Sequence, residues 1–142
     1  MNNTVESDAS GSLMFSLLHA AHALEGQLEE AFGAVGLSWA RYGVLDQLVR
    51  AREPLALSDL AARLSCVRSN MTQLVDRLEA EGLVRRVNDP DDRRCIRAEL
   101  TAEGRERQVA GAEQLRKVQA EFEAALPASG RSVLAGVLAA LE

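Results

Sequence analysis

Six side chains in one short stretch could act together: Arg68, Ser69, Asn70, Thr72, Gln73 and Arg77 share one side of a helix if this segment is helical. As a set they suit recognition. Arg, Asn and Gln form paired hydrogen bonds with base edges, while Ser and Thr contact phosphates or bases. A second group sits in the acidic, Pro-containing turn of "NDPDDRRCIRAEL", where Asp92 precedes Arg93 and Arg94. Two adjacent arginines at a loop tip supply one cation for a narrow, electronegative groove, and an ion pair with the carboxylate would hold the loop's shape. The alternative for such a turn is a solvated tip that keeps a hairpin soluble. Arg77 has two readings, a phosphate contact or a pair with Asp76 or Glu81.

The elements that must position these groups are legible from periodicity. Leu13, Leu17, Leu18, Ala21, Leu24, Leu28, Ala31 and Phe32 predict a helix over 13–32 whose apolar stripe is broader than one neighbouring helix needs. Gly33 and Gly36 break it, and Ser38 is placed to cap a second helix running to about Arg50. "REPLALSDL" reads as a loop, with Ser58 capping the short helix "DLAARL". Met71, Leu74, Val75 and Leu78 then predict a helix from Arg68 to Glu81 that Gly82 stops. "LVRRV" and "CIRAEL" are strand-like and flank the turn from Asn88 to Arg94. A long helix is expected from Ala102 to Ala125, and after Pro127 a last one from Ser129 to Leu141. Residues 1–12, "MNNTVESDASGS", read as a short disordered lead-in and not as a signal peptide.

Composition bounds the partners. The 142 residues carry a formal charge of -5, which taken alone argues against nucleic acid. Distribution reverses the inference. Between Arg63 and Arg97 eight arginines face six carboxylates, net +2, and the remainder carries eight basic against fifteen acidic residues, net -7. Only five residues are aromatic, so the core must be Leu, Val and Ala, as in packed helices. No apolar run is long enough to span a bilayer, and two cysteines make no disulfide framework. A cytoplasmic protein with no membrane role is expected.

A short helix, a tight turn, a second helix and a two-stranded hairpin make a winged helix-turn-helix. Leu60, Ala61, Leu64, Cys66, Met71, Leu74, Val75 and Leu78 fall where the two helices would pack. The expected fold class is therefore mainly α with a small β-hairpin wing. A lobe over 38–101 would be flanked by dimerisation helices over 13–32 and 102–142, in one domain from 13 to 142.

The stretch "LAARLSCVRSNMTQLVDRLEAEGLVRRVNDPDDRRCIRAELTAEG" resembles the MarR (multiple antibiotic resistance) transcriptional regulators. It matches a recognition-helix pattern ending in LVDRLE-xx-GLV, a D-x-R wing at Asp92 and Arg94, and a later L-T-x-x-G at Leu100, Thr101 and Gly104. The resemblance implies that Arg94 enters the minor groove, that Asp92 orders the wing, and that Arg68, Ser69, Asn70, Thr72 and Gln73 face the major groove. Two departures stand out: Val67 where a capping serine is common, and Ser65 where Gly is common in the turn.

One such module has few base contacts, and a symmetric dimer reads two half-sites about one helical turn apart. The surplus apolar surface of 13–32 and of Val133, Leu134, Val137, Leu138 and Leu141 is what a homodimer interface needs, an intrachain core being the alternative. The resemblance also implies a repressor released by a small ligand or by oxidation, with a site between dimerisation helices and DNA lobe. His19, His22, Trp39 and Tyr42 are the candidate lining for a small aromatic or phenolic ligand; Trp39 and Tyr42 as plain core or interface is the alternative. His19 and His22 are spaced to begin a metal site but lack a third ligand, so no metal or cofactor is expected. Cys66 reads as an inert core residue. Cys95, beside Arg93 and Arg94, is a candidate redox site, although the family's oxidation sensors commonly use a first-helix cysteine that is missing here. No P-loop, G-x-S-x-G, H-E-x-x-H or Cys-His constellation points to an enzyme. The rival to a pseudo-palindromic operator on double-stranded DNA is a winged helix that binds protein, which would have lost its wing arginines.

Overall fold

The computed structural model describes residues 5–66 and 68–142, with side chains from residue 11 onward except that of Arg68. Among the described residues six helices and three short strands follow in the order α1 (Val5–Gly33), α2 (Trp39–Ala51), β1 (Leu55–Ala56), α3 (Leu57–Arg63), α4 (Arg68–Ala80), β2 (Val84–Asn88), β3 (Ile96–Leu100), α5 (Ala102–Ala125) and α6 (Gly130–Ala139). The helix-rich class with a hairpin wing is as the sequence implies.

Local chemistry explains most boundaries. The Ser38 side chain accepts a hydrogen bond from the Arg41 backbone N–H at 3.1 Å, capping α2 as expected. At the far end Arg52 turns into the left-handed region at φ 59°, and its N–H closes on the Leu48 carbonyl. Gly82, at φ +77°, ends α4, where a residue without Cβ carries no steric penalty. Thr101 caps α5 by accepting from the Gly104 N–H at 3.0 Å, while its hydroxyl donates to the Gly82 carbonyl at 2.7 Å.

β2 and β3 form the hairpin, antiparallel and in register from Val84↔Leu100 to Asn88↔Ile96 without a bulge. β1 adds to the other side of β3 through Leu55↔Ala98 and Ala56↔Arg97, giving the order β1-β3-β2. The core gathers between α2, α3, α4 and this sheet: Leu45, Leu60, Met71, Val75, Leu78 and Val84 are almost wholly buried. Of the residues expected to join the two helices of the turn motif, Leu60, Ala61, Met71, Val75 and Leu78 are buried, and Leu64, Cys66 and Leu74 pack partly against them.

Three expectations are corrected. Residues 5–12 are not a disordered lead-in: α1 starts at Val5, in a stretch free of proline, and residues 1–4 lie outside the described ones. Ser58 does not cap α3, which begins one residue earlier behind Ala56 and has no side-chain cap bond. The stretch read as the loop "REPLALSDL" contains β1, which is too short to show alternation and exists because β3 offers it a hydrogen-bonding edge.

α1 buries its end: Phe32 is fully buried and Leu28 packs partly, whereas Leu13, Met14, Phe15, Leu17 and Leu18 remain exposed. α6 buries no residue within the chain, although Val133, Val137 and Leu138 are apolar, and Leu141, beyond its end, is exposed too. No helix among the described residues is long and apolar enough to cross a membrane.

Candidate nucleic-acid interface

α4 is two-sided. Met71, Val75 and Leu78 are fully buried on one face, and Ser69, Asn70, Thr72, Gln73 and Arg77 are exposed on the other. The side chain of Arg68 and the whole of Val67 lie outside the described residues, so the contact expected of Arg68 and the cap question at Val67 do too. The preceding turn is set by Ser65 at φ +50° and by the Cys66 N–H bonding to the Ala61 carbonyl at 2.9 Å. Ser65 thus takes the left-handed position that glycine commonly fills in the family pattern.

The wing loop is held by two aspartates in different ways. Asp92 accepts a hydrogen bond from the Arg94 backbone N–H at 3.0 Å on its side chain, and from the Cys95 N–H at 3.0 Å on its carbonyl. This corrects one detail: Asp92 shapes the tip by folding the backbone onto its side chain, and the ion pair that holds the loop lies elsewhere. That pair is Asp89 with Arg97. The Asp89 carboxylate accepts from Arg97 Nε at 2.9 Å and Nη2 at 2.7 Å, and from the Asp91 N–H at 2.8 Å. Chiefly through the Asp91 N–H, then through Arg97, its pKa is lowered from the ordinary 3.8. Arg97 also reaches the Pro54 carbonyl at 3.4 Å, tying the wing root to the chain before β1. Sequence reasoning missed this pair; the available signal was an Asp-Pro turn opening a hairpin whose return strand carries an arginine.

Arg93 and Arg94 are exposed at the tip, and among the described residues neither guanidinium makes an ion pair. Other arginines of the lobe are engaged. Arg85 pairs with Glu99 across the hairpin, and Arg86 reaches from β2 to Asp76 and Glu79 of α4. Arg41 donates Nη1 to both oxygens of Glu81, at 2.8 and 2.7 Å. Arg77 lies beside the same carboxylate with Nε at 3.5 Å. Of its two acidic candidates Glu81 is therefore the neighbour, and Asp76 is taken by Arg86.

The four candidate ligand-pocket residues are not brought together within one chain. Trp39 and Tyr42 line a cavity of about 460 Å³ with Asp46, Arg50, Arg63 and Ser65, between α2, the end of α3 and α5. His19 and His22 lie exposed on α1, in a shallow hollow walled by that helix alone. Tyr42 stacks on Phe32 with ring centres 4.7 Å apart. Burial first, and then the Asp46 carboxylate, raises its phenol above the ordinary value of 10.0. Asp46 in turn accepts from Arg50 at 2.8 Å and from Gln108 of α5 at 3.3 Å. Asp46, Arg50 and Arg63 escaped sequence reasoning because nothing in their spacing ties them to Trp39.

Cys95 is half-buried directly before β3, and Cys66 is half-buried against the core. Among the described residues no three His, Cys, Asp or Glu side chains are grouped to hold a metal ion.

Helix, turn, helix and a hairpin with paired arginines at its tip define a winged helix-turn-helix lobe. Residues 37–96, the core of that lobe, match the model of the MarR family. The chain is 33% identical over 93 residues to the HTH-type transcriptional regulator PrsX of Escherichia coli, covering 65% of this chain and 56% of that protein. It is 32% identical over 96 residues to the HTH-type transcriptional repressor YetL of Bacillus subtilis, covering 67% and 58%. The match thus spans little more than half the length of either relative. The crystal structure of CouR from Rhodococcus jostii RHA1 bound to p-coumaroyl-CoA superposes with a TM-score of 0.76 at 26% identity, over 93% of this chain and 92% of that one. Over its winged helix-turn-helix lobe the chain is thus similar to the MarR family.

Proposed function

We propose that this protein is a homodimeric, sequence-specific DNA-binding transcriptional regulator, a repressor of the operator it reads. One observation carries the reading. The exposed face of α4 bears Ser69, Asn70, Thr72 and Gln73 above a fully buried opposite face, and a wing whose tip arginines stand clear of carboxylates follows it. The helix reads base edges in the major groove, and Arg94, with Arg93, adds minor-groove and phosphate contacts. Second-copy association is supported by α6, an apolar helix with no buried residue, and by the exposed Leu13 to Leu18 surface of α1. The name of YetL supports repression.

A small aromatic or phenolic ligand fits the cavity at Trp39 and Tyr42, where an apolar ring wall meets Arg50, Arg63 and Asp46. The p-coumaroyl-CoA bound by CouR supports that class of ligand. Ser65 lines the same cavity and sits in the turn before α4, so an occupant would press on the reading helix through its own lead-in.

The deciding experiment is binding of the purified protein to its own upstream intergenic DNA and to scrambled DNA across a salt series, with Arg94→Ala alongside. Specific binding that weakens with salt and falls sharply in the variant is expected. No preference over scrambled DNA at any salt, with Arg94→Ala unchanged, would sink the reading for that operator, and selection of bound genomic fragments would then test the rest of the genome. Light scattering of wild type and Val137→Glu checks the dimer. Trp39 is the sole tryptophan, so its fluorescence during a p-coumaroyl-CoA titration reports on the cavity.

A further inference from the structure

Glu81, directly after the last turn of α4, is approached by two arginines with unequal grips. Arg41 comes from α2 with its side chain 10% exposed, and its Nη1 touches both carboxylate oxygens. It is fixed from behind as well, since Nη1 reaches the Gly36 carbonyl at 3.2 Å and Nε the Ser38 hydroxyl at 3.4 Å. Arg77, one turn before Glu81, is 69% exposed, and its Nε stops at 3.5 Å, beyond a good hydrogen bond. One carboxylate carries one charge. With Arg41 seated on it, little attraction remains for Arg77.

We propose that Arg41 is a positioning residue for DNA binding: by saturating Glu81 it leaves Arg77 free to contact the phosphate backbone, without touching DNA itself. The inference rests on the reading of α4 as the DNA-facing helix. It is part of a pattern at the C-terminal end of this helix, where Asp76 and Glu79 within it and Glu81 directly after it are three carboxylates that would repel DNA. Arg86 of β2 covers Asp76 and Glu79, and Arg41 of α2 covers Glu81. The neutralising cations come from the lobe behind the helix, which spares the cation on its exposed face. If Arg41 is removed, Glu81 keeps an uncompensated charge and its remaining neighbour is Arg77, an (i, i+4) partner in a geometry that helices favour. Arg77 then closes onto Glu81, and the charge offered to DNA is cancelled.

The test is the salt dependence of binding to a duplex that the wild-type protein enriches from a random-sequence pool. Wild type, Arg41→Gln, Arg77→Gln, Glu81→Gln and the double variant Arg41→Gln with Glu81→Gln are compared. If each protomer of a dimer neutralises one phosphate fewer, the log-log salt slope becomes shallower by about 1.8, so a fourfold rise in salt costs the variant about 12-fold less affinity than it costs wild type. That change is expected in Arg41→Gln and in Arg77→Gln. The double variant, with no carboxylate left to capture Arg77, should recover the wild-type slope, as should Glu81→Gln. Arg41→Met, which fills similar volume without the charge, replaces Arg41→Gln if the latter does not fold. A wild-type slope in the Arg41 variants beside a shallow one in Arg77→Gln overturns the proposal, and so does a double variant that stays shallow. If the pool yields no enriched duplex, the DNA reading itself fails and takes the proposal with it.

Discussion

Replacing Gly104 with alanine puts a methyl group where the structure has no room for one. A Cβ built there lies 1.9 Å from the Leu83 carbonyl oxygen, 2.9 Å from the Leu83 carbonyl carbon and 2.9 Å from Leu100 Cδ1. Two of the three obstacles are backbone, so side-chain rotation cannot relieve the clash and the start of α5 must move away from Leu83. That motion pulls on the Thr101 N–H bond to the Leu83 carbonyl at 3.2 Å and on the Thr101 hydroxyl bond to the Gly82 carbonyl at 2.7 Å. Overpacking costs about 1–3 kcal/mol, and weakening the Thr101 cap costs about 1 kcal/mol more. The greater helix propensity of alanine returns about 1 kcal/mol. The expected net loss is about 2 kcal/mol, or roughly 8 °C in Tm for a chain of this size. Thermal and urea unfolding at one fixed protein concentration measure it, with Gly26→Ala as the internal comparison. A Cβ at Gly26 meets nothing within 4 Å, so that helix should gain about 0.5–1 kcal/mol. If Gly104→Ala proves as stable as Gly26→Ala, α5 does not rest directly on the Leu83 backbone.

Other perturbations have equally definite outcomes. Asp89→Asn should loosen the wing root and lower Tm. Because the folded pKa of Asp89 lies below its ordinary value of 3.8, the contribution is fully present above that value and is lost as pH falls through the folded one. The Tm gap between wild type and variant should stay level from about pH 5 to 8 and close in acid; a gap that opens in acid would contradict the pairing. Ser65→Gly relieves a left-handed residue at φ +50° and should raise stability by about 1 kcal/mol, read by urea midpoint. Gly111→Ala brings a Cβ to 2.6 Å from Tyr42 Cδ2 and should cost about 1–3 kcal/mol. The same change should shift Trp39 emission, because the displaced Tyr42 ring stacks on Phe32, whose ring centre lies 5.7 Å from that of Trp39; unaltered emission and stability would deny the close packing of α5 on that ring.

The amino-acid pattern by itself determined the helices, the hairpin and the polar side of α4. These follow from repeats of two and of about three and a half residues and from local caps such as Ser38, Thr101 and Gly82, and each acts over a few neighbours. The motif glycine at position 104 was legible as a letter, while its reason was not: the Leu83 carbonyl that excludes a side chain there is brought up by folding. The start of α1 was misjudged because the polar stretch 5–12 lacks an apolar stripe to announce a helix. Strand β1 escaped because a two-residue strand has no period and depends wholly on the edge of β3. Charge partners were the least legible class. Arg41 and Glu81 are 40 residues apart, Arg97 and Asp89 face each other only across the hairpin, and Asp92 was expected to pair when it bends the backbone instead. An arginine written in a chain can serve DNA, a carboxylate or a carbonyl, and which of these it meets is decided by the packing that sets which groups come within hydrogen-bond reach. For that reason tertiary structure alone separated the arginines committed to the lobe, Arg41, Arg86 and Arg97, from Arg93 and Arg94, which it leaves exposed at the wing tip.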